Sequence, residues 1–327
     1  MNTFSNNLKV AVIGQGVIGF SSALAIKQNF PSAKITLFSD RKFEDTCSFG
    51  PAGLFRLDNL ADREWAKATF EWFAELEKKY SPEETALLDI QAKAYGDIVY
   101  NFHWLTDRER NSLFPNPSKH AIHYTAYASE GRRYVPWLRK QLSLLKGIQY
   151  QERKIDSLQQ LVDENKFDCI VNCAGLNGGK LAGDDDSVYP IRGVAFEVKA
   201  PCTNILTTRM STASLSHWLI LPARPTVRLE HCLMKSSEPG GKTCHVIHNY
   251  GHGGNGFTIG WGCSLNVVKL ISEHVESCDA QCSLCVQEYD DSLLLCSSSF
   301  VRPKAQLATK VVRSQWSHPM ECIFLQA

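Results

Sequence analysis

No run of eighteen apolar residues occurs anywhere in the chain, so no segment reads as a membrane-spanning helix. Charge of one sign is missing too. The 35 Lys and Arg stand against 34 Asp and Glu, a formal net charge of +1, and no overall field draws the chain to nucleic acid or an anionic membrane. The N-terminus opens on polar residues, and Gly14 soon breaks the apolar run that follows, too early for the core of a secretion signal. We therefore expect an intracellular protein. Cysteine is not scarce, at twelve residues. Without a secretory route these are not expected to pair, and thiols in apolar runs, such as Cys169 and Cys173, read as small buried hydrophobes. Metal sites are absent from our reading as well. Cys278, Cys282 and Cys285 have no second Cys-x-x-Cys beside them, and His248 and His252 have no third ligand nearby. Asp184, Asp185 and Asp186 are consecutive, unlike the alternating ligands of a calcium loop, and read as a solvated loop.

What is present begins at residue 9. Residues 9–13 form an apolar run that reads as a strand buried on both faces. Gly14-Gln15-Gly16-Val17-Ile18-Gly19 follows. The first glycine of such a pattern makes the tight turn, the second lets a pyrophosphate approach the backbone, and the third packs the helix on its strand. A helix is predicted over 17–29, its free N–H groups aimed at a diphosphate. A second strand over 34–39 ends at Asp40, where an acidic side chain accepts hydrogen bonds from an adenosine ribose. That acid selects NAD or FAD over NADP.

Further along, helical spacing predicts helices over 65–80 and 134–145. Residues 166–173 read as a buried strand stopping at Ala174-Gly175, which places 172–175 near the cofactor crevice of a doubly wound fold. Near the end, His248-Asn249-Tyr250-Gly251-His252-Gly253-Gly254-Asn255-Gly256-Phe257-Thr258 offers backbone N–H groups at the start of another apolar helix, over about 258–275. Two class readings are open at this point: a flavin or nicotinamide enzyme, and an α/β protein that only binds NAD or has a structural role.

Three separated motifs, VAVIGQGVIG, FDCIVNCAG and VIHNYGHGGNGFTIGWG, together resemble the D-amino-acid oxidase family. The run LAGDDDSVYPIRG is more similar to its D-aspartate oxidase branch. The resemblance implies an α/β protein with a Rossmann-like FAD-binding domain and a second, mixed-sheet substrate domain. It divides the chain into a discontinuous FAD-binding domain (1–50, 140–190 and 224–276), a substrate domain (51–139 and 191–223) and an atypical tail (277–327). It implies FAD as cofactor, a small D-amino acid and oxygen as partners, and oxidation to a 2-oxo acid, ammonia and hydrogen peroxide. The preferred substrate is then D-aspartate, with neutral D-amino acids as the alternative. A cytoplasmic or peroxisomal location follows, although no Ser-Lys-Leu type tripeptide ends the sequence.

By motif match, Gly14, Gly16, Val17, Ile18 and Gly19 hold the diphosphate, and Asp40 and Arg41 the adenosine side. Thr46, Cys47, Ser48, Gly53 and Leu54 form a lining loop, and Ile155 an adenine-side backbone contact. Gly253, Gly254, Asn255, Gly256, Phe257 and Thr258 surround the flavin ring. Arg56 and His248 are the substrate-binding candidates; Arg192 is a weaker one. No catalytic acid or base is assigned, because the cofactor takes the hydride and the protein orients the reactants.

The pattern breaks in three places. The family's carboxylate-clamping arginine lies three residues before an Arg-Pro-x-x-Arg motif, found here at Arg224-Pro225-Thr226-Val227-Arg228, and the matching position holds Leu221. The stretch from Gly193 to Arg224 is about fifty residues short of the family's and lacks its active-site tyrosines. After Ser277 the composition changes, and a loosely packed end is expected. A catalytically impaired FAD-binding form is therefore the other reading of this chain.

Overall fold

The computed structural model describes residues 8–51, 53–56, 60–80, 87–88, 98–113, 120–195, 205–208, 217–276 and 321–326. Among them the strands are β1 (Lys9–Ile13), β2 (Lys34–Ser39), β3 (Leu87–Leu88), β4 (Tyr100–Trp104), β5 (His120–Thr125), β6 (Ala128–Ser129), β7 (Ile148–Glu152), β8 (Cys169–Asn172), β9 (Tyr189–Ala195), β10 (Ile205–Thr208), β11 (His217–Lys235), β12 (Thr243–His252) and β13 (Glu321–Gln326). The helices are α1 (Val17–Asn29), α2 (Arg63–Lys79), α3 (Asp107–Leu113), α4 (Gly131–Ser143), α5 (Leu158–Asp163), α6 (Gly178–Ala182) and α7 (Gly256–Ile271).

β1 buries every side chain except Lys9, as a strand covered on both faces must. It sits inside a seven-stranded sheet of order β7-β2-β1-β8-β12-β11-β9. The first five strands in that order run parallel, β11 runs antiparallel to them, and β9 pairs antiparallel with β11. The parallel strands therefore end along one edge, where β1 hands over to α1 and β2 ends at Asp40. A second sheet of order β10-β13-β5-β4 and the small β3-β6 pair complete the architecture.

α1 has ten of its thirteen residues buried, so it is covered nearly all round rather than on one face. The reason is position: the helix lies over the sheet and is covered by α7. Its small polar residues serve that contact. Ser22 Oγ meets Ser264 Oγ at 3.2 Å and accepts a 3.1 Å bond from Asn249 Nδ2. α2 docks on the outer side of α7, with Trp72 and Trp261 stacked at 3.8 Å.

Several expectations shift by a few residues. α4 starts at Gly131 rather than 134, because Glu130 accepts from the Arg133 and Tyr134 N–H groups and opens the helix early. α7 starts at Gly256 and passes after Ile271 into a π turn, Ser272–Glu276. The aspartate run needs a correction. Asp184 is exposed, but the Asp185 side chain is only 4% exposed. It accepts from Arg224 Nε at 2.9 Å and from Tyr250 Oη at 2.8 Å, and these bonds and Ser187 hold its carboxyl well below the usual range against the cost of burial. Asp185 is thus a tie between β11 and β12, and the loop is not simply solvated. In the segment after Ser277, residues 321–326 are described, and they pair with β10 and β5. The expected boundaries at 190/191 and 223/224 fall inside β9 and β11.

Candidate cofactor and substrate cavity

One cavity opens along the edge where the parallel strands end, and most of the expected cofactor residues line it. The turn from β1 into α1 makes its floor. Gly14 has φ +107°, and a Cβ there would lie 2.4 Å from the carbonyl oxygen of Cys173, the residue just after β8. At Gly19 a Cβ would lie 1.8 Å from the Gly14 oxygen. These two glycines close the turn. Gly16 faces the cavity, and a Cβ there would meet only the movable Ser48 hydroxyl, at 2.8 Å. The same hydroxyl accepts the Val17 N–H at 3.0 Å, which fastens the start of α1 to the Ser48 loop beside the cavity, so the cap of the helix and the cavity floor are one structure.

Asp40 and Arg41 line the next stretch, joined by two bonds of 2.7 Å. The Arg41 fork holds the Asp40 carboxyl below its usual range, so it remains an acceptor at neutral pH. Thr46, Cys47, Ser48 and Ile155 line the cavity as well.

The glycine-rich segment forms the far wall through Gly253, Gly254, Gly256 and Phe257. Gly19, Gly53, Leu54, Asn255 and Thr258 are not in the lining. Gly53 instead accepts from the Ser129 N–H at 2.9 Å, and Leu54 bridges Ala128. The Thr258 hydroxyl accepts the Arg56 N–H at 3.1 Å and donates to the Arg56 carbonyl at 3.0 Å, fastening the 53–56 loop to the start of α7.

The two substrate candidates stand apart from the lining. The Arg56 residue is exposed. His248 is buried on β12, with Nδ1 3.3 Å from Asn172 Nδ2 and Nε2 3.7 Å from Cys232 Sγ. Arg192 lies in β9, paired with Ile220 of β11. Leu221 does line the cavity, half-buried on β11. Among the described lining residues the arginines are Arg41, held by Asp40, and Arg153, which meets Glu164 at 2.6 Å.

Sequence reasoning missed Arg153, Asn177, Asn249, Tyr250 and His252 in the lining. Asn249 and His252 fall within a quoted motif, but only His252 is considered there, with His248 as a metal ligand, and Asn249 is given no role. The usable signal was their place at the carboxyl end of a parallel strand. Both carry a buried polar atom without a hydrogen-bond partner among the described residues, Asn249 Oδ1 and His252 Nε2. Unsatisfied buried groups are rare in native proteins and suit a wall that receives a polar ligand. With the open helix N-terminus and the Asp40 acceptor, this donor set fits FAD.

The fold and cavity define a dinucleotide-binding oxidoreductase, and the family model for FAD dependent oxidoreductases matches residues 9–229. The chain belongs to that family. It is 44% identical to D-aspartate oxidase 1 of Caenorhabditis elegans over 331 residues, which cover 82% of this chain and 98% of the relative. It is 42% identical to D-aspartate oxidase 2 of Caenorhabditis briggsae, covering 81% of this chain and 98% of the relative. In the first match the 331 aligned residues exceed the 82% of 327 that this chain contributes, so the relative holds positions that this chain lacks. Among solved structures, glycine oxidase from Bacillus cereus superposes with a TM-score of 0.56 at 14% identity, covering 81% of this chain and 97% of the other, a likeness of fold.

Proposed function

We propose that this chain carries out the FAD-dependent oxidative deamination of D-aspartate, giving a 2-oxo acid, ammonia and hydrogen peroxide. The observation that carries the reading is the 44% identity to a D-aspartate oxidase across 98% of that relative's length. FAD, when bound, would supply the redox chemistry, a hydride acceptor for the substrate's alpha carbon and a donor of the electron pair to oxygen.

The protein's own task is placement. Gly16, Val17 and Ile18 seat the diphosphate at the N-terminus of α1, with Gly14 and Gly19 shaping the turn beneath. Asp40 and Arg41 take the adenosine ribose, while Thr46, Cys47, Ser48 and Ile155 line its flank. The wall from Gly253 to Phe257 presents the flavin ring to the substrate. Gly53, Leu54, Asn255 and Thr258 act behind that wall, where the Thr258 clip on Arg56 sets the distance between loop and helix. Arg56 reads the second carboxylate of an acidic substrate from that loop.

One observation favours a slower form of this activity. Leu221 stands in the cavity lining at the position that matches the family's carboxylate clamp, and an apolar side chain cannot pair with a carboxylate. Peroxide as a product suits a peroxisomal or cytoplasmic protein, which imaging of the tagged chain in cells would decide.

The test is direct. The purified chain should quench flavin fluorescence on adding FAD, show flavin absorbance, and release peroxide with D-aspartate faster than with D-alanine. A colourless protein that binds NAD and ignores FAD would sink the reading.

A further inference from the structure

We infer that Asn249 and His252 form a subsite for the ribityl hydroxyls of FAD. The inference rests on the FAD reading above and adds two residues to it, neither of them among the cofactor residues found by motif.

Asn249 is fully buried at the carboxyl end of β12, and His252 ends the same strand at 6% exposure. Both line the cavity. The Asn249 amide is oriented by its Nδ2 bond to Ser22 Oγ, 3.1 Å away on α1, which leaves Oδ1 without a partner among the described residues. His252 Nε2 has none either. A folded protein seldom strands two polar atoms on one wall unless a ligand completes them.

The chemistry of the pair narrows the ligand. Asn249 Oδ1 only accepts, whereas His252 Nε2 donates or accepts according to its tautomer. A hydroxyl, which does both, is the matching group. A phosphate is a poor match, because burial keeps the His252 ring neutral, with its pKa pushed down to about 3. Position narrows it further. A Cβ built on Gly256 would lie 3.9 Å from His252 Cβ, 3.8 Å from Val17 Cγ1 and 4.0 Å from Ile18 Cδ1. His252 therefore stands where the start of α1 meets the start of α7. FAD bound with its diphosphate at the first helix and its ring at the second spans that junction with its ribityl chain.

The experiment pairs a cofactor analogue with a variant. Apoprotein is titrated with FAD and with an FAD analogue whose ribityl chain is replaced by an unsubstituted pentyl chain, each followed by fluorescence. Wild type should bind the analogue at least about tenfold more weakly than FAD. His252→Phe should bind FAD about tenfold more weakly than wild type, yet lose much less affinity for the analogue, and His252→Gln should recover part of the loss. The apo melting temperature of His252→Phe should not fall, since no protein hydrogen bond to Nε2 is removed. Equal losses on FAD and analogue, or wild type binding both ligands alike, overturn the subsite. Wild type that binds neither ligand overturns the FAD reading instead. Asn249→Leu also removes the bond to Ser22, so its effect is read as the difference between its losses on FAD and on the analogue, which an altered Ser22 contact alone would leave equal.

Discussion

Replacing Leu221 with arginine should raise the turnover of D-aspartate. Leu221 is half-buried on β11, paired with Ile191 of β9, and lines the cavity. Its Cδ1 stands 3.9 Å from the point where a Cβ on Gly254 would lie, so a longer side chain there reaches along the glycine-rich wall. The lining arginines already have carboxylate partners, Asp40 for Arg41 and Glu164 for Arg153. A fork between a new guanidinium and the alpha carboxylate contributes about 1.5–3 kcal/mol, as hydrogen bonds to charged groups do. At about 1.4 kcal/mol per factor of ten, kcat/KM should rise about ten- to hundredfold. Leu221→Lys should gain less, because a point charge cannot form the fork. The arginine also has a cost without substrate, since its charge is then partly buried and unpaired. D-aspartate should therefore raise the melting temperature of Leu221→Arg more than that of wild type. The assay is steady-state peroxide release with FAD in excess, with folding checked by circular dichroism. A folded, FAD-loaded Leu221→Arg with no gain would refute the reasoning. So would a wild type that already turns over at about 10 per second, the median for enzymes. In either case the carboxylate is held by another residue.

Gly16→Val and Gly19→Ala should separate binding from folding. Gly16→Val, whose Cβ meets the Ser48 hydroxyl at 2.8 Å and otherwise faces the cavity, should keep most of its thermal stability and lose FAD affinity. Gly19→Ala, with its Cβ 1.8 Å from the Gly14 oxygen, should lower the melting temperature of the apoprotein sharply; the opposite ranking would overturn these roles. Acid should destabilise the apoprotein between about pH 6.5 and 4. Burial depresses the His248 pKa to about 4 and the His252 pKa to about 3, so the unfolded chain takes up protons through 6.5 that the folded chain refuses. Each ring contributes up to about 1.4 kcal/mol of lost stability per pH unit in that window. Urea melts at pH 7, 6 and 5 should show the fall, and a slope that His248→Gln leaves unchanged would exclude that residue from it. Arg56→Ala should lower the ratio of D-aspartate to D-alanine turnover; an unchanged ratio removes Arg56 from the substrate side.

The cofactor half of the fold was legible because its rules are local. Residues 9–13, 17–29 and 34–39 were read with the same bounds that β1, α1 and β2 have. A buried parallel strand, a glycine turn and a helix start each leave a short mark in adjacent residues. Most of the motif-matched cofactor residues line one cavity for the same reason: they sit at the ends of elements, and the sheet brings those ends to one edge. Boundaries were less legible where a tertiary contact joins in, as at α4, which starts three residues early at Gly131, whose N–H reaches the Pro51 carbonyl at 3.2 Å.

The remainder was hidden because it depends on pairs far apart in sequence. Asp185 looked like part of a solvated acidic run, and only the fold shows Arg224 and Tyr250, 39 and 65 residues away, closing on its carboxylate. His248 looked like a substrate ligand because of the motif it belongs to, yet alternation along β12 decides which face it takes. His248 ends against Asn172 and Cys232, while Asn249, one residue on, reaches Ser22 and the cavity. The same parity argument bears on Leu221. Strand β11 carries an irregularity in its pairing with β12 between Ala223 and Arg228. Such a bulge re-aims the residues beside it, so a count back from Arg-Pro-x-x-Arg does not by itself fix which side chain faces the cavity. Leu221 nevertheless lines it. The substitution at that position thus falls on a wall of the cavity, and its consequence should appear in substrate turnover before it appears in stability.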